Sequence, residues 1–395
     1  MSKTKLTKSL RSGPDQNGYY GNFGGMYVGE TLIRPLMELD DAFKSAIKDK
    51  KFIDEFHYHL KHFVGSPSPL YYAENLTKKI GGAKILFKQE HLNHTGSHKV
   101  RNALFQILLA KRMGKKKILV ESGAGAHFSA TAACAAKFGI PVEGVMGSVD
   151  IKRVSQNVIK AKHYGAKLTS TPGSLKDAIT KVLKLWTSEP DSYYCCGSVV
   201  ASNPFPKIVQ YAQSFIGKEL RDQILKQEKK LPNLLVGAVG GGSNFLGLIH
   251  EFLDEPQIKM LGVEAKNSAA LTNGTIGIMQ GMKSYMLQKK DGSSVLNAQS
   301  IAAGIQFYSV GPQHSYLKSI GRVQYTSASD REMLNAYKLL AKYEGICAAL
   351  EPCAALSKTF SIAKNKPKNY IIVTSLCGRG DVNLDTIEEV IGNEF

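Results

Sequence analysis

One lysine of this sequence stands where it could act as a nucleophile. Lys99 follows the small and polar run "HTGSH" (94–98) and opens a helical pattern, "KVRNALFQILLAKRM". A lysine becomes nucleophilic when its pKa is lowered, and both partial burial and a helix N-terminus disfavour the ammonium form. His98, beside it, could reach a phosphate group. The alternative interpretation is a solvent-exposed lysine at the start of a helix.

Two glycine-rich loops could hold the anionic groups of a ligand. The loop "GGGSN" (240–244) leaves the apolar run "LLVGAV" and opens a helix, so its backbone and its Ser243 and Asn244 side chains could bind one phosphate. It lacks the Gly-Lys-Ser/Thr ending of a nucleoside-triphosphate loop, and a plain tight turn is the alternative. The loop "ESGAGAH" (121–127) could hold a carboxylate, although ordinary strand-to-helix turns use the same residues.

These features together indicate one chemistry. A phosphate loop, a carboxylate loop and an activated lysine match pyridoxal phosphate acting on an amino acid. Cys377, in "LCGRGD", would lie at the carboxyl end of a strand, where a neutral thiol can make one weak hydrogen bond. From that segment alone, an ordinary core cysteine is the better interpretation.

The composition bounds the fold and the partners. The chain has 395 residues, of which 43% are hydrophobic, and this length favours two domains. The net charge of +18 raises nucleic-acid binding as an alternative, but the basic residues are spread along the chain, which favours a lysine-rich surface that attracts small anions. We predict no nucleic-acid partner. With neither a membrane-length apolar run nor a secretory signal, we also predict no membrane association and a cytoplasmic location.

Apolar runs alternate with helical patterns along the chain. This alternation predicts an α/β fold with mostly parallel sheets, in which ligands bind at the carboxyl ends of the strands. The clearest strand-like runs are "KILF" (84–87), "KILV" (117–120), "VEGVMG" (142–147), "NLLVGAV" (233–239) and "YIIVTSL" (370–376).

The motifs as a set resemble those of the tryptophan synthase beta subunit family, in that family's order and over nearly the whole chain. They are "FGGMYV" (23–28), "LNHTGSHK" (92–99), "ESGAGAH" (121–127), "GGGSN" (240–244), "LGVEA" (261–265), "GMKSYMLQ" (281–288), "VGPQH" (310–314), "EGICAALE" (344–351) and "GRGD" (378–381).

The resemblance implies a fold-type II pyridoxal phosphate enzyme with two interleaved three-layer α/β domains. The N-terminal domain would comprise residues 1–52 and 86–205, including a mobile subdomain at about 114–200. The C-terminal domain would comprise residues 53–85 and 206–395 and would carry the phosphate loop.

The resemblance also implies a role for each matching residue. Lys99 would carry the cofactor and Glu121 would serve the indole step. The cofactor-binding set would be His98, Gly240, Gly241, Gly242, Ser243 and Asn244 at the phosphate, with Glu351 near the ring and Cys377, where the family usually has serine, at the ring nitrogen. The substrate-binding set would be Ser122, Gly123, Ala124, Gly125, Ala126 and His127, together with Gln306 and Arg153.

The implied reaction is β-replacement, which converts L-serine and indole to L-tryptophan and water. The implied partners are a second copy of the chain, in a homodimer, and a tryptophan synthase alpha subunit. No metal site is predicted from side chains, but a monovalent cation is expected at backbone carbonyls near Gly240, Phe307 and Ser309.

The chain departs from the family pattern at positions expected at or near the site. These are Gln89, His91, Arg101, Ala126, Phe128, Gln306, Pro352, Cys353, Ala354 and Cys377. Gln306 replaces an aspartate that would pair with Arg153. The departures leave two alternatives open: a different leaving group or nucleophile, such as O-phosphoserine as the donor, and a weakly active paralogue.

Overall fold

The computed structural model describes residues 9–153, 155–296 and 298–391. Its strands are β1 (Tyr19–Tyr20), β2 (Phe23–Gly24), β3 (Leu70–Tyr72), β4 (Lys84–Lys88), β5 (Lys117–Glu121), β6 (Val142–Gly147), β7 (Lys167–Thr171), β8 (Ser192–Tyr194), β9 (Leu234–Ala238), β10 (Lys259–Ala265), β11 (Thr275–Met279), β12 (Met282–Met286), β13 (Gln324–Ala328) and β14 (Ile371–Ser375). Its α-helices are α1 (Glu30–Ala46), α2 (Lys50–His59), α3 (Glu74–Ile80), α4 (Lys99–Arg112), α5 (Ala126–Lys137), α6 (Ser148–Arg153), α7 (Ser155–His163), α8 (Leu175–Ser188), α9 (Phe205–Glu228), α10 (Ser243–Ile249), α11 (Ala270–Asn273), α12 (Pro312–Ser319), α13 (Asp330–Glu344), α14 (Leu350–Ala363) and α15 (Leu384–Ile391).

A six-stranded sheet has the order β13-β10-β9-β14-β4-β3. All its neighbours are parallel except β3 and β4. The central strands β9 and β14 are buried along their whole length, which explains why their sequences are rich in Leu, Ile and Val. The predicted domain division at residues 85 and 86 falls inside β4, whose five residues all pair with β14 in this sheet.

A second, four-stranded sheet is parallel throughout and has the order β7-β6-β5-β8. The runs predicted as strands at 117–120 and 142–147 are its neighbouring members β5 and β6. A third sheet, β1-β2-β12-β11, is antiparallel. The predicted α/β fold with mostly parallel sheets is therefore confirmed.

Helix α4 lies in the interior. Every residue from Val100 to Ala110 is buried, because the helix packs against α2, α5 and α9. Such burial on all sides fixes the position of Lys99, its first residue. No helix among the described residues combines the length and the apolar character needed to cross a membrane.

Strand ends bring the predicted loops together. In the six-stranded sheet, β9, β14 and β4 are parallel neighbours, so the segments that follow them lie at one edge. These segments contain the loop 240–244, Cys377 and the run 94–98. The loop 121–127 leaves β5 of the other sheet and faces the same cavity.

Candidate active site

A cavity of about 190 Å³ lies at these strand ends. On that measure one water needs roughly 10–15 Å³, so the cavity accommodates a ligand of many heavy atoms. Its lining includes these predicted residues: His98, Lys99, Glu121, Ser122, Gly123, Ala124, Ala126, His127, Gly240, Gly241, Gly242, Ser243, Asn244, Gln306, Glu351 and Cys377. Gly125 is not part of the lining; it precedes α5 with a φ of 71°.

Lys99 directs its amino group into the cavity wall. Nζ donates a hydrogen bond to the carbonyl oxygen of Gly197 at 2.6 Å. Burial lowers the pKa of Lys99, and the nearby Cys196 and Glu121 only partly oppose this effect. The arrangement differs from a solvent-exposed lysine and favours the neutral, nucleophilic amine.

The loop 240–244 is built for close backbone approach. A Cβ atom at Gly240 would come within 2.7 Å of the Ile305 Cα atom, and one at Gly242 would overlap the His314 ring. Gly242 also has a φ of 97°, which favours glycine. At the end of the loop, Asn244 Nδ2 is buried and has no protein partner among the described residues. The loop therefore keeps side-chain donor capacity for a ligand.

His98 connects this loop to the end of β14. Its Nδ1 lies 3.1 Å from the carbonyl oxygen of Cys377, which can only accept, so Nδ1 carries the proton. Burial lowers the pKa of His98 to about 3. In the neutral ring, Nε2 then accepts from Ser243 Oγ at 3.3 Å.

The loop 121–127 is held by a residue of α7 that also lines the cavity. Asn157 Nδ2 donates to the carbonyl oxygen of Ala124 at 2.9 Å. At the other end of the loop, His127 Nε2 donates to the carbonyl oxygen of Cys195 at 2.8 Å. Burial lowers the pKa of His127 to about 3, so the ring is neutral, and its buried Nδ1 has no protein partner in the described part of the chain.

Glu121 combines burial with an unsatisfied carboxyl oxygen. It is the last residue of β5, and its Oε2 has no hydrogen-bond partner among the described residues. Burial raises the pKa of Glu121 to about 7, although a hydrogen bond with Tyr194 acts in the opposite direction. A carboxyl group with a pKa near neutrality suits proton transfer at physiological pH.

Gln306, Glu351 and Cys377 also line the cavity. Glu351 Oε1 accepts a hydrogen bond from the Gly304 amide at 2.7 Å, and Gln306 Nε2 donates to the carbonyl oxygen of Ala298 at 2.9 Å. Burial raises the pKa of Cys377 to about 12, so its thiol is neutral. Arg153 ends α6, but its side chain lies outside the described part of the structure.

Comparison with known proteins agrees with this geometry. Residues 63–378 match the family described as "Pyridoxal-phosphate dependent enzyme". The chain is 45% identical over 401 residues to the tryptophan synthase beta chain of Rhodopseudomonas palustris (strain TIE-1), covering 99% of each chain. It is also 45% identical over 405 residues to that of Methylobacterium sp. (strain 4-46), covering 100% of both. The chain belongs to the tryptophan synthase beta chain family of pyridoxal-phosphate-dependent enzymes.

Solved structures agree on the fold. A fungal L-serine ammonia-lyase from Rhizomucor miehei matches with a TM-score of 0.66 and 20% identity, covering 83% of this chain and 98% of that one. The threonine deaminase from T.th. gives the same TM-score and identity, covering 84% and 98%. The implied fold-type II architecture is confirmed.

The cavity residues fit pyridoxal phosphate. A phosphate would meet the glycine loop and the unpartnered Asn244 amide, and the aldehyde carbon would meet the amine of Lys99. The neutral Cys377 thiol can share a hydrogen bond with a ring nitrogen without giving it a full charge. The cavity therefore offers anion donors, an amine and a neutral thiol to the cofactor of this family.

Several departures from the family motifs, which were expected at or near the site, do not line the cavity. Phe128 packs on Gly144 of β6, where a Cβ atom would overlap its ring. Arg101 is fully buried and binds Glu90 and Glu219, with Nε–Oε2 and Nη1–Oε1 distances of 2.7 and 2.6 Å. Pro352, Cys353, Ala354, Gln89 and His91 are likewise absent from the lining, whereas Ala126, Gln306 and Cys377 belong to it.

Other lining residues were missed by the sequence analysis. The Gly197 carbonyl accepts a hydrogen bond from Lys99, and the Asn157 amide donates one to the Ala124 carbonyl. Gly197 and Asn157 both lie in segments without a glycine-rich motif. The "CCGS" run (195–198) that follows strand β8 was the available signal for Gly197. Further lining residues are Thr95, Ser97, Leu175, Ile179, Tyr194, Ser198, Ile305 and Arg379.

The monovalent cation stays a prediction. Gly240 and Phe307 line the cavity, and Ser309 Oγ donates to the carbonyl oxygen of Tyr285 at 3.2 Å. Among the described residues, no cluster of three or more His, Cys, Asp or Glu side chains could hold a metal ion.

Proposed function

We propose that this protein catalyses a β-replacement reaction, in which indole replaces the β-hydroxyl group of L-serine to give L-tryptophan and water. The observation that carries the proposal is the pairing of two proton-transfer groups in one cavity. Lys99 has a lowered pKa, and Glu121 has a pKa raised to about 7 by burial. The names of its relatives support the same reaction.

Bound pyridoxal phosphate supplies an electron sink that stabilises negative charge at the amino acid's Cα. Lys99 would hold the cofactor, and its amine, once free, would take the Cα proton and give a proton to the β-hydroxyl that leaves as water. Residues 122–127 would orient the substrate carboxylate, and Glu121 would accept the ring N–H proton of indole as its C3 attacks. Neutral Cys377 would leave the ring nitrogen without a full positive charge, which would favour loss of the β-substituent over transamination.

The proposal is tested by incubating the cofactor-loaded protein with L-serine and indole. We expect L-tryptophan, identified by chromatography and mass, in amounts that depend on both substrates. Pyruvate and ammonia formed from L-serine at the same rate with or without indole, and no tryptophan, would refute replacement and leave elimination as the reaction.

A second candidate donor is favoured by Gln306. This neutral side chain lines the cavity where the family pattern has a carboxylate. An uncharged amide at this position does not repel a phosphate-bearing substrate, as the family's aspartate would. O-phospho-L-serine is then the better donor. Comparing both donors in native protein and in Gln306→Asp tests this: a native preference for L-serine that the substitution does not change would refute it.

The assembly and location belong to the same proposal. We expect a homodimer that binds a tryptophan synthase alpha subunit, because the relatives are named as beta chains, and a cytoplasmic location. Light scattering of the protein alone gives the oligomeric state. Stimulation of tryptophan formation by an added alpha subunit from a relative tests the partner.

A further inference from the structure

We propose that His314 is a positioning residue for the cofactor's phosphate, and that it acts by fixing the peptide groups of the loop 240–244 from the side away from the cavity. The proposal deepens the proposed function and rests on it. The motif "VGPQH" (310–314) has no role in the reaction described above, and its residues do not line the cavity.

Two consecutive carbonyl groups of the loop are bound by residues 311–314. The Gly311 amide donates to the carbonyl oxygen of Gly241 at 3.0 Å. His314 Nε2 lies 2.9 Å from the carbonyl oxygen of Gly242, which also accepts from the Leu246 amide at 3.0 Å. Both carbonyls are therefore turned towards the 311–314 segment.

This orientation fixes where the neighbouring amides point. In a planar trans peptide the N–H group points opposite to the C=O group. The amides of Gly242 and Ser243 therefore point away from the 311–314 segment, and both residues line the cavity. Their N–H groups are thus held ready for an anion at the position where the phosphate binds.

The tautomer of His314 is determined by its neighbours. The Gly242 carbonyl can only accept, so Nε2 carries the proton. Nδ1 then accepts from the Tyr325 hydroxyl, which lies 2.8 Å away. His314 is completely buried, burial lowers its pKa to about 4, and its ring stacks on Phe245 at 5.9 Å between centroids. The neutral ring therefore donates a single hydrogen bond, from Nε2 to the Gly242 carbonyl.

The space around Gly242 gives independent support. A Cβ atom at Gly242 would overlap the ring of His314, so the loop and this ring are in the closest contact that glycine permits. A donor packed this closely restricts the Gly242 peptide to one orientation. The consequence is specific to the phosphate, because pyridoxal without its phosphate makes no use of the loop amides.

The test compares binding of pyridoxal phosphate and pyridoxal to cofactor-free protein. In His314→Phe the ring stack is kept and the donor is lost, so pyridoxal phosphate affinity should fall about tenfold, and pyridoxal affinity less than about twofold. His314→Gln, whose amide can reach the same carbonyl, should recover most of the loss. Tyr325→Phe should reduce the ratio of pyridoxal phosphate affinity to pyridoxal affinity by a few-fold. This variant replaces the His314 variants in the test if they do not fold.

Ser315→Ala is the matched control. Ser315 lies next to His314 in α12 and bonds Ser284 and Tyr285 instead of the loop, so it should lower stability without changing the affinity ratio. The phosphorus NMR shift of bound cofactor should move in His314→Phe and not in the control. A parallel fall in both affinities, or a Gln variant no better than Phe, would overturn the positioning role. A native protein that binds neither compound would instead refute the proposed function.

Discussion

The two walls of the cavity are built differently. Residues 240–244, which we call the phosphate wall after their proposed ligand, are supported by donors on two consecutive carbonyls and contain three glycines at which a Cβ atom has no room. Residues 121–127, which we call the carboxylate wall after theirs, are held at Ala124 by the amide of Asn157. They keep two buried polar atoms without protein partners among the described residues, on Glu121 and His127. Residues 240–244 also keep one such atom, Asn244 Nδ2, but only their peptides are fixed at two consecutive carbonyls. The first wall would therefore hold an unchanging group, and the polar atoms of the second would meet the reacting groups.

This contrast explains where variation is tolerated. The phosphate wall matches the family motifs "GGGSN" and "VGPQH" in full, because a side chain at any of its glycines would collide with a neighbour. Of the three cavity-lining departures, Ala126 lies in the loop 121–127, and Gln306 and Cys377 lie outside both loops. Changes at these positions alter the space and charge in the cavity and leave the backbone of the loop 240–244 in place.

The largest expected effect is at Lys99, which faces both walls. Lys99→Ala removes the attachment point and the Cα base together, so tryptophan formation should fall by more than about ten-thousandfold. The cofactor should still bind through the phosphate wall. Borohydride treatment followed by peptide mapping should fix the cofactor on Lys99 in native protein only. A reducible lysine attachment that persists in the variant would show that another lysine carries the cofactor.

The next effect is on stability and concerns Arg101, which is part of neither wall. Its guanidinium is fully buried between Glu90 and Glu219. Arg101→Met would leave the buried Glu90 without its cationic partner, whereas Glu219 would keep its ion pair with Lys88. Breaking such a buried pair costs about 3–5 kcal/mol of unfolding free energy, measurable by urea titration of the cofactor-free protein. The control Arg34→Met breaks an exposed pair and should cost under about 1 kcal/mol. Equal losses would mean that the buried network does not stabilise the fold.

The sequence predicted the fold class and much of the cavity, for a physical reason. Strand, glycine loop and helix follow one another locally, so the loops 121–127 and 240–244 and the helix start at Lys99 can be recognised from neighbouring residues. Asn157 and His314 act on loops distant in sequence, and only the tertiary fold brings them there. The absence of Arg101 and Phe128 from the lining could not be predicted for the same reason, because distance along the chain from Lys99 or His127 does not tell which side of a helix faces the cavity.

Glu121 should show the next effect, confined to the second half-reaction. Glu121→Gln should couple indole about a hundredfold more slowly and still release the β-substituent of the amino acid. The carboxylate form acts as the base, and burial raises the pKa of Glu121 to about 7, so native coupling should rise with pH through about 7. The variant should lack that rise. The measurement is the single-turnover rate with indole across neutral pH, and an identical profile in both proteins would remove Glu121 from this step.

The smallest expected effect is that of Asn157→Ala, and it tests whether the two walls act independently. Asn157→Ala removes the donor to the Ala124 carbonyl, so the carboxylate wall loses one fixed peptide and the phosphate wall loses nothing. One hydrogen bond of about 1 kcal/mol corresponds to an increase of roughly fivefold in the KM for the amino acid. Affinity for pyridoxal phosphate should be unchanged. His314→Phe should give the opposite pattern, with weakened cofactor binding and, at saturating cofactor, an unchanged KM. If each variant changed both quantities alike, the walls would behave as one unit and the contrast between them would have no functional meaning.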